Sequence, residues 1–142
     1  MSIRTAARLG GAAILAGLAG LHFAWGRGSS WPMRTRRTLS AAVAGTDRTP
    51  SPGACFAMTG VLGTAAAIAG GVGGRRPLAR LARAGVAAGF LGRGLTGVTG
   101  RTGLLVPWTP SAHFAELDRR FFGPLCLGIA ALVVAGSDRR TP

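Results

Sequence analysis

Thr49-Pro50-Ser51-Pro52-Gly53-Ala54-Cys55-Phe56-Ala57-Met58-Thr59-Gly60-Val61-Leu62-Gly63-Thr64-Ala65-Ala66-Ala67-Ile68-Ala69-Gly70-Gly71-Val72-Gly73-Gly74 carries no charged side chain, in a chain whose formal net charge is +13. A helix needs about 20 predominantly apolar residues to cross the roughly 30 Å hydrocarbon core of a bilayer. Cys55 to Gly73 meets that requirement. Read alone, the surplus of positive charge suggests a nucleic-acid binder. Read around this gap, the arginines become the borders of membrane spans.

At 142 residues the chain is a single domain, here a single membrane domain over 1–142. Its 17 basic residues are all arginine, and lysine, tyrosine, asparagine and glutamine are absent. With abundant alanine, glycine and proline, that bias resembles the output of a GC-rich genome. It excludes a lysine Schiff base, a tyrosine acid and an asparagine oxyanion donor. His22, His113, the carboxylates, Cys55, Cys126 and some hydroxyls remain for chemistry. The cysteines are far apart and form no Cys-x-x-Cys, so neither a zinc nor a thioredoxin-type motif exists. The arginines lack the motifs and interleaved aromatics of DNA or RNA binding, so nucleic acid is not an expected partner. No pattern calls for a cofactor or a catalytic triad.

Charge gaps outline further spans. The first runs over about 6–25, between basic residues Arg4/Arg8 and Arg27. A cleaved signal peptide is the rival reading, with Gly17-Leu18-Ala19 as a weak cleavage site. The apolar run continues through Leu21-His22-Phe23-Ala24-Trp25, which favours a retained span with Trp25 in an aromatic belt. Residues 26–52, rich in Ser, Thr, Pro and Arg, read as a loop, and the second span covers about 54–73. Arg76, Arg80 and Arg83 then fall on one helical face at the membrane interface. A third span over about 83–103 contains Arg93 near mid-membrane, where an arginine costs about 2.5–3.5 kcal/mol unless it faces a bundle interior. The fourth covers about 121–137.

Four crossings bring the 26–52 and 101–120 connections to one side. That side then holds all three tryptophans, both histidines and three of the four acids; the opposite side is nearly pure arginine. Arg4, Arg8, Arg75, Arg76, Arg80, Arg83, Arg139 and Arg140 on one side balance an equal number on the other. The positive-inside count is therefore tied. The short, arginine-dense 74–83 connection tips the expectation towards both termini being cytoplasmic. Residues 110–120 read as a short interfacial helix before the last span, with Thr109 as its cap and Pro110 in its first turn. Pro124 is expected to kink the junction. Ala13/Gly17, Ala16/Gly20 and Ala131/Ala135 have the small-xxx-small spacing that lets helices approach in lipid. The fold class expected is all-α: an integral membrane four-helix bundle with that interfacial helix.

Two blocks carry a resemblance. Leu21-His22-Phe23-Ala24-Trp25-Gly26-Arg27-Gly28 followed by Trp31-Pro32 is one; Phe114-Ala115-Glu116-Leu117-Asp118-Arg119-Arg120-Phe121-Phe122-Gly123-Pro124-Leu125-Cys126-Leu127 is the other. Together they resemble a family of small bacterial four-span membrane proteins, domain of unknown function (DUF) 3995. Phe122-Gly123 stands where family members often carry Tyr-Ser, so no phenol or hydroxyl is offered there. The resemblance implies a multi-pass cell-membrane protein and supplies no activity.

Five residues are the candidate ligand-binding set: His22, Trp25, Arg93, Glu116 and Asp118. His22 lies about one turn inside the exit of the first span; an ionisable group within a span is a functional hypothesis by default. The competing reading is a neutral imidazole hydrogen-bonded to a helix. Arg93 either binds an anionic ligand group or pairs with Asp118 or Glu116. Glu116 also has an i,i+4 partner in Arg120. The leading expectation is therefore a non-enzymatic membrane protein that binds a small ligand, lipid or partner protein. The alternative is a small membrane enzyme or metal/redox protein using His22, His113 and Glu116, since imidazole and carboxylate suit several transition metals.

Overall fold

A computed structural model of the protein describes residues 1–137; Asp138 and the two arginines counted above, Arg139 and Arg140, lie outside the described residues. Those residues form helices and connections with no strand. The long helices are α1 (Ile3–Gly26), α3 (Pro52–Gly70), α4 (Pro77–Val98) and α6 (Gly123–Gly136); α2 (Arg36–Ala44) and α5 (Ala112–Leu117) are short. Three helices are long and apolar enough to cross a membrane: α1, α3 and the continuous helix Ala112–Gly136 made of α5, a π-helical turn and α6.

Local chemistry sets the ends. Ser2, Ser51 and Ser111 each accept a hydrogen bond from a backbone N–H of the first turn, a standard serine cap. Pro52 and Pro77 occupy first-turn positions of α3 and α4, where the missing N–H is no loss. Residues 26–52, expected as loop, contain α2. It is opened by a reciprocal pair in which Thr35 and Thr38 cap each other's backbone N–H, and closed by Gly45 at φ +70°. The expected cap at Thr109 is corrected as well: Ser111 does that work, so Pro110 lies before the helix.

The presumed interfacial helix and last span are one continuous helix. Between α5 and α6 the chain passes through a π turn, Asp118–Phe122, in which the Gly123 N–H bonds back to the Asp118 carbonyl. Pro124 follows directly; lacking an N–H, it could not have continued the ordinary ladder. The wider turn absorbs that defect, and such bulges are frequent at functional positions.

The long helices alternate in direction. Gly26 of α1 lies against Phe56 of α3 and Gly70 against Ala12; Gly11 faces Leu132, and Gly94 of α4 faces Leu127. α1 therefore packs between α3 and α6, and α6 between α1 and α4. The core holds Leu15 and Ile129, both fully buried, with Leu62, Val133 and alanines 19, 65, 66, 69 and 87. On α1 the buried stripe is Ala7, Gly11, Leu15 and Ala19. The small pairs singled out from spacing (Ala13/Gly17, Ala16/Gly20, Ala131/Ala135) face outward instead. In so alanine- and glycine-rich a helix the spacing recurs on every face, and the topology selects one.

Candidate functional site

The two ends of the bundle differ in chemistry. One gathers the start of α1, the turn between α3 and α4, and the end of α6; there Arg8 Nε donates to the Gly136 carbonyl at 2.7 Å. The other gathers the end of α1, α2, and the connection from α4 to α5. At that end Trp108 Nε1 donates to Ala44 O at 2.9 Å and Ser111 N to Gly45 O at 3.1 Å. Phe114 packs so closely on Gly45 that a β-carbon there would lie 2.9 Å from its ring. The 26–52 and 101–111 connections are thus in contact.

Asp118 is the centre of this end. It is completely buried, in the first position of the π turn. Arg93 of α4 reaches it with both terminal nitrogens, Nη2 to Oδ1 at 2.7 Å and Nη1 to Oδ2 at 3.2 Å. Thr102, in the 3₁₀ turn that follows α4, donates its hydroxyl to Oδ2. The helices meet here backbone to backbone: a β-carbon on Gly97 would fall 2.9 Å from Asp118 Oδ1 and from Gly123 Cα, and one on Gly123 2.8 Å from Val98 N. Gly94 and Gly97 on α4, with Gly123 on α6, allow the two helices to close over the ion pair. Arg93 lies five residues before the last residue of α4, about 8 Å from its end at 1.5 Å per residue, rather than at mid-helix.

The other candidate residues do not join this cluster. His22 Nδ1 bonds the Leu18 carbonyl of its own helix at 2.8 Å, and its ring lies 4.8 Å from that of Trp25. Trp25 Nε1 donates to Trp31 O at 2.7 Å. Glu116 takes Arg120 Nε at 2.5 Å in an exposed i,i+4 pair, and His113 is exposed. Among the described residues no three His, Cys, Asp or Glu side chains stand close enough to hold a metal ion, so His22, His113 and Glu116 do not converge. The cleft beside Trp25 has a volume of only about 20 Å³, room for little more than one water molecule. Cys55 and Cys126 are both free thiols.

Three residues escaped the sequence reading. Arg36 of α2 ties this end together, donating to Trp25 O at 3.0 Å and Pro50 O at 3.4 Å. Thr102 completes the Asp118 cluster. Arg83, placed by its helical face at the interface, is 2% exposed. It donates from Nε to Ile68 O at 3.2 Å and from Nη2 to Val72 O and Gly74 O, at 3.4 and 2.7 Å. Ile68 lies in the last turn of α3, and Val72 and Gly74 in the turn that follows it, beside the helix end whose dipole favours a cation. The closest sequence signal for Arg83 was the run of glycines just before α4, which exposes carbonyls without covering them.

An all-helical chain with several helices fit to cross a bilayer, closed by a buried ion pair, defines the class. The family described as "Protein of unknown function (DUF3995)" matches residues 15–133, and the chain belongs to that family. No curated protein and no solved structure matches it significantly.

Proposed function

We propose that the protein is a non-enzymatic multi-pass membrane protein in which α4 crosses the bilayer with α1, α3 and Ala112–Gly136. In this reading it binds a small ligand, lipid or partner membrane protein at the end where His22, Trp25, Arg93, Glu116 and Asp118 lie. One observation carries the four crossings: Arg93 is matched, in bidentate geometry, by a buried carboxylate on the next helix. An isolated arginine would keep α4 out of lipid; a paired one facing a neighbouring helix does not. Connectivity supports the same reading. The 26–52 and 101–111 connections touch, and only α3 and α4 lie between them. If α3 crosses, α4 must return.

The binding role draws on Arg93 itself, whose side chain remains 30% exposed while Asp118 is closed in. The N–H groups of Arg93 that Asp118 leaves unused can take an anionic group without breaking the pair. Both termini are then on one side, read as the cytoplasm. Reporter fusions at Gly45, Arg76 and Trp108 test the topology: Gly45 and Trp108 should report one side and Arg76 the other. Arg76 and Trp108 on the same side would remove the α4 crossing.

A further inference from the structure

The arginine-rich end holds a groove that this function does not use. About 540 Å³ in volume, it runs between the first half of α4 and the end of α6, within the roughly 300–1,000 Å³ typical of ligand sites. Leu81, Ala84, Ala87 and Val134 give it an apolar wall, and Arg80 and Arg83 line it too. Leu81 and Val134 are exposed, so the wall is open on the side that lipid would occupy.

Arg83 is incompletely satisfied. Its Nε and Nη2 go to the carbonyls of Ile68, Val72 and Gly74, but Nη1 is buried without a partner. A buried donor left unpaired costs free energy comparable to a lost hydrogen bond, and more on a charged group. Beside it α4 begins with no side-chain cap and no acidic residue in its first turn, so its positive end is uncompensated. A buried guanidinium with Nη1 unpartnered, a second arginine one turn earlier, an uncapped helix start and an apolar wall share one groove.

We infer that this groove holds the phosphate of an anionic phospholipid, with the Arg83 and Arg80 guanidinium groups on the phosphate oxygens and the acyl chain along Leu81, Ala84 and Val134. Charge complementarity selects the headgroup, and the apolar wall selects a lipid over a free ion. Basic pockets between membrane helices are recurrent headgroup sites. The inference rests on α4 lying in the bilayer, yet its test needs only the folded protein in detergent, so the two readings fail separately.

The test is native mass spectrometry of the whole chain in mild-detergent micelles doped with phosphatidylglycerol or with phosphatidylcholine. One phosphatidylglycerol is expected to stay bound in preference to phosphatidylcholine. Arg83→Gln and Arg80→Gln should each weaken its retention by about fivefold or more, the contribution of one basic residue near a headgroup. Because Arg83 also holds the end of α3, the exposed Arg80 gives the variant that leaves the fold intact. Arg119→Gln, at the opposite end, should change nothing. Equal retention of the two lipids, or an equal loss in Arg119→Gln, would overturn the site. Inorganic phosphate displacing phosphatidylglycerol at low millimolar concentration would overturn the lipid assignment in favour of a soluble anion.

Discussion

The two ends of α4 treat the same side chain in opposite ways. Near its C-terminal end Arg93 meets a carboxylate squarely, yet stays part-exposed; near its N-terminal end Arg83 is almost fully buried and meets only carbonyl oxygens. At Arg93 the charge is neutralised within the chain, and glycines on both helices bring the partners into register. At Arg83 the positive charge is only partly offset, and Nη1 has no partner. The first arrangement is a finished clasp. The second leaves Nη1 without an acceptor, and the phosphate inferred above would supply one.

The largest effect should come from separating the partners of the clasp. Arg93→Met leaves Asp118 buried with only Thr102 for company, and breaking a buried pair in this way costs about 3–5 kcal/mol. Asp118→Asn should cost less, because the orphaned guanidinium is already part-exposed near the end of α4, from where it can reach the membrane interface. Reversible unfolding in mixed micelles measures both. Equal losses would show that the asymmetry of burial does not matter.

Glycine substitutions sharpen the contrast at intermediate size. Gly97→Ala forces a methyl against Asp118 and Gly123, and overpacking of that kind costs about 1–3 kcal/mol. Gly89→Ala has open space around its new methyl and should be neutral or slightly stabilising, since glycine in a helix interior costs roughly 0.5–1 kcal/mol. The same unfolding measurement separates them, and a loss in Gly89→Ala as large as in Gly97→Ala would deny that α4 and α6 close specifically at the ion pair. The smallest effect belongs to Glu116→Ala. Its pair with Arg120 is exposed and spaced i,i+4, worth about 0.3–0.5 kcal/mol. A larger loss there would move the electrostatic centre of this end away from Asp118.

Much of the fold was legible from residue order. The uncharged stretch ending at Gly74 contains α3, and Arg93 was recognised as needing a partner, with Asp118 among those named. The capped helix α2 was missed: Thr35 and Thr38 stand at capping spacing and Gly45 at its end, but the surrounding Ser, Thr, Pro and Arg read as loop. That His22, His113 and Glu116 do not converge has a different reason. His22, His113 and Glu116 share an end of the bundle, and sharing an end is far coarser than the few ångströms a metal demands.

By itself, the sequence determined that the chain is helical, that long stretches of it suit a bilayer, and that its arginines concentrate between those stretches. Hydropathy and charge spacing act along the chain, so they can be read along it. Tertiary structure alone decided that Arg83 turns inward while Arg80 stays out, that Ala7, Gly11, Leu15 and Ala19 rather than Ala13 and Gly17 form the packed stripe, and that Thr102 completes the Asp118 cluster. These depend on which helix lies beside which. In a chain where alanine and glycine coat every helical face, no local pattern marks the face that will be covered, and the neighbour makes the choice.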